Sequence, residues 1–181
     1  MAKIVFRDRN PDVIRELYSA FPGWAADVMD IFGAPCSGVI SPANSFGWMD
    51  GGIDAVYLAR WPSAAPTLKA KVAALPFREL LVGQALLVET GDTACPHLIA
   101  APTMRAPGAT TFMSVFLAAR AAFFVSLSLP GVVASPGLGT GTGHLHPKDA
   151  ARAMRLGYEE AVAFAAAAKT AQNTPPIDMG G

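Results

Sequence analysis

Several classes of protein are excluded by what this sequence holds little of. Cysteine occurs twice in 181 residues, as Cys36 and Cys95. Their spacing is unremarkable, so both read as free thiols of a reducing compartment, with no disulfide. Neither sign of charge is in excess: 14 basic residues face 14 acidic ones. That balance lacks the basic footprint of a protein held to nucleic acid by bulk electrostatics, although a local nucleotide site needs only a few donors. No apolar run is long enough to span a bilayer, because the stretch 113–134 is broken by Arg120 and Pro130. The first residues, Met-Ala-Lys-Ile-Val-Phe-Arg-Asp, place charge where a signal peptide needs its apolar centre. The expected location is therefore cytoplasmic, away from membranes. No internal repeat occurs. The nucleotide fingerprints G-x-G-x-x-G and G-x-x-x-x-G-K-[ST] are also missing.

What is present is a chain that is 52% apolar, much of it alanine, which suits closely packed helices. The length predicts one domain over 1–170, followed by a polar, mobile tail at 171–181 with proline and glycine. Strand-like and helix-like segments alternate. Strands are predicted at 3–6, 27–31, 37–40, 84–89, 97–101 and 132–135. Helices are predicted from Asn10-Pro11-Asp12 onward, then at 52–60, 69–75, 110–127 and from Pro147 to about 169. This order predicts an α/β fold, with helices on both faces of a mixed, mostly parallel sheet.

Two loops carry the chemistry. The first is Ser41-Pro-Ala-Asn-Ser-Phe-Gly-Trp-Met-Asp-Gly-Gly-Ile-Asp54, a polar loop between a strand and a helix start. Gly51 and Gly52 let backbone approach a ligand closely, and the unpaired N–H groups of the helix's first turn favour an anion. The second is Pro136-Gly-Leu-Gly-Thr-Gly-Thr-Gly143, with glycines at 137, 139, 141 and 143. It reads either as a phosphate cradle or as a plain flexible turn. Both loops follow strands, and ligands of open α/β sheets bind outside those strand ends, so both are expected to border one crevice.

These residues resemble the macro domain family, whose signature runs from an Ala-Ala-Asn into a glycine run, an apolar residue and an aspartate. Ser41-Pro-Ala-Asn-Ser, five residues, and Gly51-Gly52-Ile53-Asp54 align with it without a gap. Asp30-Ile31 is similar to the family's Asp-Ile, 98–105 to its central strand and turn, and 136–143 to its second phosphate loop. The resemblance covers roughly 27–165 and implies a three-layer α/β/α sandwich that binds ADP-ribose, free or on a macromolecule. It implies that Asp30 accepts from the adenine amino group beside the Ile31 N–H, and that Asn44 contacts the ribose near the scissile bond. The amides of Gly52 and Ile53 and those of Gly139, Thr140, Gly141, Thr142 and Gly143 would hold the diphosphate, with Gly51, Gly137 and Leu138 also among the ligand-binding residues. Asp54 stands where hydrolytic members place water. Met49-Asp50 replace two of the family's glycines, and Gly143 or His144 stands in place of an aromatic residue. Phe46 and Trp48 are candidates to shield the catalytic end instead.

Each residue also has a plainer role. Asp54 can be a helix-end carboxylate worth about 0.3–1 kcal/mol, and the same field predicts a low pKa and a poor general base. Asn44 can occupy a turn. Asp30 can be a loop carboxylate, and Asp50 a helix cap. His144 and His146 do not by themselves complete a metal site, so neither metal nor cofactor is expected. Arg105 can reach a phosphate or form a surface ion pair, and the 112–123 aromatic stripe is core. The expected activity is removal of ADP-ribose from acidic side chains or hydrolysis of a free ADP-ribose derivative. A non-catalytic ADP-ribose or nucleotide module, or a phosphatase of phosphorylated ADP-ribose, are the alternatives.

Overall fold

The computed structural model describes residues 2–172. Strands β1 (Lys3–Asp8), β2 (Ala26–Val28), β3 (Gly38–Ser41), β4 (Leu86–Glu89), β5 (His97–Ala100) and β6 (Val132–Ser135) alternate with five helices. These are α1 (Pro11–Ala20), α2 (Gly52–Arg60), α3 (Ala64–Ala73), α4 (Phe112–Ser126) and α5 (Pro147–Gln172). The sheet order is β2-β1-β6-β3-β5-β4. Every pairing is parallel except β4 with β5, so the sheet is mixed and mostly parallel as expected.

Alternation along the strands divides the core in two. Ile4, Phe6, Ile40, Ile99 and Val133 face α1, α4 and α5, while Val5, Val39, Leu98, Ala100 and Ala134 face α2 and α3. The small residues explain how closely the helices pack on the first face. A Cβ on Gly157 of α5 would lie 2.7 Å from the Arg120 amide nitrogen of α4, so the two backbones are nearly in contact there. On the second face the Tyr57 hydroxyl donates to the Ile40 carbonyl at 2.9 Å, tying α2 to β3.

Several elements differ from the sequence expectation. β2 ends at Val28, because the Asp30 side chain and carbonyl accept from the Phe32 and Gly33 amides and turn the chain. α3 starts at Ala64, five residues earlier than predicted; Pro66 is tolerated in its first turn, where an amide has no intrahelical acceptor anyway. β4 starts at Leu86 because Gln84 closes a local turn on the Leu81 amide. α4 starts at Phe112, capped by the Thr111 hydroxyl on the Ser114 amide. α5 continues through Gln172, past the expected helix end at about 169, and the rest of the expected tail lies outside the described residues.

Candidate functional site

The C-terminal ends of the parallel strands β1, β2, β3 and β6 share one edge of the sheet. The segments leaving them, with residues 103–104 beyond β5, enclose a cleft of about 350 Å³. One wall is Asp30 and Ile31 with Arg9 and Asn10. Opposite are Gly51, Gly52, Ile53 and Asp54, and the floor is Gly137 with residues 139–143. The two glycine loops meet directly: a Cβ built on Gly52, at φ +55°, would lie 3.4 Å from the Thr142 hydroxyl.

The second loop is held rigidly from below. Gly137 N–H donates to the Asp8 carboxylate at 3.0 Å, and the Thr140 hydroxyl donates to the Gly137 carbonyl. The Leu145 and His144 amides close back on Gly139 and Gly141. Gly139, at φ +75°, packs so tightly that a Cβ would meet Val115 Cγ2 at 2.5 Å. Among the described residues, the N–H groups of Gly139 to Gly143 have no intramolecular acceptor, and these residues line the cleft. The first turn of α2 adds its own unpaired amides. Gly51 occupies the N-cap without a side-chain bond, so Asp50 is not the helix cap the sequence suggested.

Asp54 lies in that first turn and is 6% exposed. Strand alternation puts Ser41 on the same face of the sheet as Val39 and hence beneath α2. Its hydroxyl donates to Asp54 Oδ1 at 2.5 Å. The helix-end argument predicts a depressed pKa, but the structure reverses it. Burial, opposed by the Ser41 hydrogen bond and helped by the charge of Asp50, pushes the carboxyl up to about 6. Removing nearly all solvent from the carboxylate outweighs the field of one helix end.

Asp30 is a different carboxylate. The Phe32 amide at 2.9 Å holds its pKa below the ordinary value; burial opposes this, and the Arg9 guanidinium at 2.5 Å adds to the lowering. Two expected site residues stand outside the cleft wall. The Asn44 carboxamide accepts from the Phe46 and Trp48 amides and donates to the Trp48 carbonyl, so it shapes the first loop from behind. Leu138 is buried under the loop, its amide on the Met154 sulfur. Phe46 and Trp48 stack on each other at 4.7 Å, and neither lines the cleft. Arg105 spans Glu79 with two nitrogens and lies over Phe46, which makes it an ion pair and not a phosphate ligand.

Sequence reading missed the residues that fix the Asp30 wall. Arg7, buried at the end of β1, donates to the carbonyls of Ile31, Ala34 and Pro35 at 3.1, 2.6 and 3.3 Å. Asp8 pins the second loop, and Arg9 reaches Asp30. The signal was present: the cluster Arg7-Asp8-Arg9 directly follows an apolar strand, where charges mark a strand end that faces something polar. His144 and His146 stay exposed, and His146 Nδ1 accepts from the Lys148 amide at the start of α5.

No protein-family model matches the sequence, and no curated protein matches it. Solved structures do. The macrodomain of Mycobacterium tuberculosis DarG matches at 21% identity and TM-score 0.63, over 73% of this chain and 87% of that one. The macrodomain of Thermus aquaticus DarG matches at 14% and 0.62, over 88% and 92%. A protein of unknown function from Bacteroides thetaiotaomicron matches at 10% and 0.55, over 86% and 90%. With the sheet order and paired glycine loops described above, these likenesses show that the chain has the macrodomain fold.

Proposed function

We propose that the cleft binds ADP-ribose and that the protein hydrolyses an ADP-ribosyl linkage. One observation carries the reading: a buried carboxylate lines a cleft whose floor carries a row of free amides. The Gly52 and Ile53 amides and those of Gly139 to Gly143 would hold the diphosphate, and fixed donors of this kind stabilise charge without reorganising. Asp30 would accept from the adenine amino group, since it is ionised and part of its surface stays open. Asn44 acts indirectly, by holding the first loop in the shape that presents Gly51 to Ile53.

Asp54 takes a stronger role than a helix-end charge allows. A carboxyl with a pKa near 6 is ionised at neutral pH, yet basic enough to accept a proton from an attacking water. Ser41 occupies Oδ1, which leaves Oδ2 for the water. The pure binding module remains the second reading, because Asp54 is 6% exposed and already hydrogen-bonded.

The test is to measure ADP-ribose affinity by calorimetry and ADP-ribose release from a glutamate-linked mono-ADP-ribosylated protein, for wild type and Asp54→Ala. Release by wild type alone, with affinity kept in the variant, supports hydrolysis. Affinity without release from either protein leaves the binding module, and absence of affinity removes the reading altogether.

A further inference from the structure

The two cysteines, 59 positions apart in sequence, meet in the fold. Gly38 of β3 pairs with His97 of β5, and Cys36 and Cys95 each stand two residues earlier on these neighbouring segments. Their sulfurs are 3.4 Å apart in a buried contact. From the Cys36 and Cys95 thiols and the Arg7 clamp above them, we infer that the pair is a redox site, closing to a reversible disulfide that tightens the cleft wall around Ile31.

The two sides of the pair are held differently. Cys95 is anchored: its amide donates to the Asp92 carbonyl and its carbonyl accepts from the Thr90 hydroxyl, within the turn between β4 and β5. Cys36 lies near the end of the irregular segment 29–37, whose carbonyls at Ile31, Ala34 and Pro35 are gathered by Arg7. A disulfide has sulfurs about 2.0 Å apart, so closure draws the Cys36 side toward the fixed turn. That movement pulls on the segment carrying Asp30 and Ile31.

The chemistry needs one co-reactant, a hydroperoxide. The Cys36 and Cys95 sulfurs hydrogen-bond to each other, and the Arg7 guanidinium is held at the Pro35 carbonyl beside Cys36; with Cys95 as the donor, the two hold the Cys36 thiol below its ordinary pKa against burial. Cys36 is therefore the attacking thiolate. Its sulfur takes the terminal oxygen of the peroxide: the S–O bond forms, the O–O bond breaks and hydroxide leaves, to be protonated to water. The Cys95 sulfur then attacks the sulfenic sulfur, the S–S bond forms, the S–O bond breaks, and the hydroxyl departs as water with the Cys95 proton. Two thiols lose two electrons and two protons, and hydrogen peroxide becomes two waters. A small-molecule dithiol reverses the change by exchange.

The site is independent of the ADP-ribose reading, and so is its test. Wild type, Cys36→Ser and Cys95→Ser are treated with graded hydrogen peroxide, alkylated under denaturing conditions and mapped by peptide mass spectrometry without reduction. Amide exchange of 30–36 is followed in parallel. The expected result is an intramolecular 36–95 cross-link in wild type, removed by dithiothreitol, with exchange in 30–36 slowed at least severalfold. Cys95→Ser is expected to accumulate a Cys36 sulfenic acid trapped by dimedone, and Cys36→Ser to react far more slowly. Two free, alkylatable thiols after peroxide, or cross-links only between molecules, would overturn the redox site. A cross-link that leaves exchange in 30–36 unchanged would overturn its coupling to the cleft.

Discussion

Asp54→Asn is expected to make the fold more stable at neutral pH while abolishing the proposed hydrolysis. Asparagine keeps the shape of the side chain and an oxygen to accept the Ser41 hydroxyl, but removes a buried charge. The structure raises the carboxyl from 3.8 to about 6, and a tenfold change in proton affinity corresponds to about 1.4 kcal/mol, so ionised Asp54 costs the fold ~3 kcal/mol. An unpartnered amide hydrogen on asparagine offsets part of this, leaving a gain of roughly 0–2 kcal/mol. The pH dependence gives the sign. Between pH 3.8 and about 6 the native state holds a proton that the unfolded state has lost, so wild-type stability falls as pH rises through this window. Urea denaturation of both proteins from pH 4 to pH 8 therefore yields a difference that opens across the window and is level above it. Asp30 and Asp92, whose carboxyls are held low, work in the opposite direction but are common to both proteins and cancel. A variant less stable than wild type at pH 7, or a difference that does not change with pH, would refute the reasoning and restore the helix-end account of Asp54.

Ser41→Ala removes the hydrogen bond that opposes burial, so the Asp54 titration is expected to move to higher pH. The acidic limb of the ADP-ribose release profile should move with it, whereas a purely structural loss would lower release at every pH. Gly139→Ala forces a Cβ against Val115 and Thr110 at positive φ. A loss of about 1–3 kcal/mol by thermal unfolding is expected, and ADP-ribose affinity should fall at least tenfold because the amide row is displaced. Arg7→Met strips donors from three carbonyls of 31–35. It is expected to cost about 2–4 kcal/mol and to speed amide exchange in that segment, with β3 and β5 unaffected.

The layer architecture was legible because its signals are local. Residues 132–135 and 38–40 are apolar runs bounded by glycine and proline, and α1 begins with an Asn-Pro-Asp cap that the structure retains. The glycine loops stood out because few other backbones need that residue so densely. What could not be read was which side chains the fold turns toward which neighbour. Asn44 and Leu138 lie inside recognisable loops, yet one braces its loop and the other packs under it, which depends on Met154 and the Trp48 backbone far along the chain or around a turn. The pKa of Asp54 was not legible for a related reason. Helix position is visible in sequence, but burial of Asp54 against Ser41 depends on the β3–α2 packing. Arg7 was passed over because a charged residue after a strand is ordinary until the carbonyls it binds are in view.

The strand at the centre of the sheet is also the last of the six described strands in chain order. β6 pairs on one side with β1, Lys3 against Val132, and on the other with β3, Gly38 against Val133. A nascent chain that stops before β6 has two strand groups with no hydrogen bonds to join them. Folding therefore has to close loops between residues distant in sequence before the sheet becomes continuous, which favours slow, all-or-none assembly over stepwise growth from the first residues. The cleft straddles this late strand, so the anion-binding surface comes into being only when the sheet is joined.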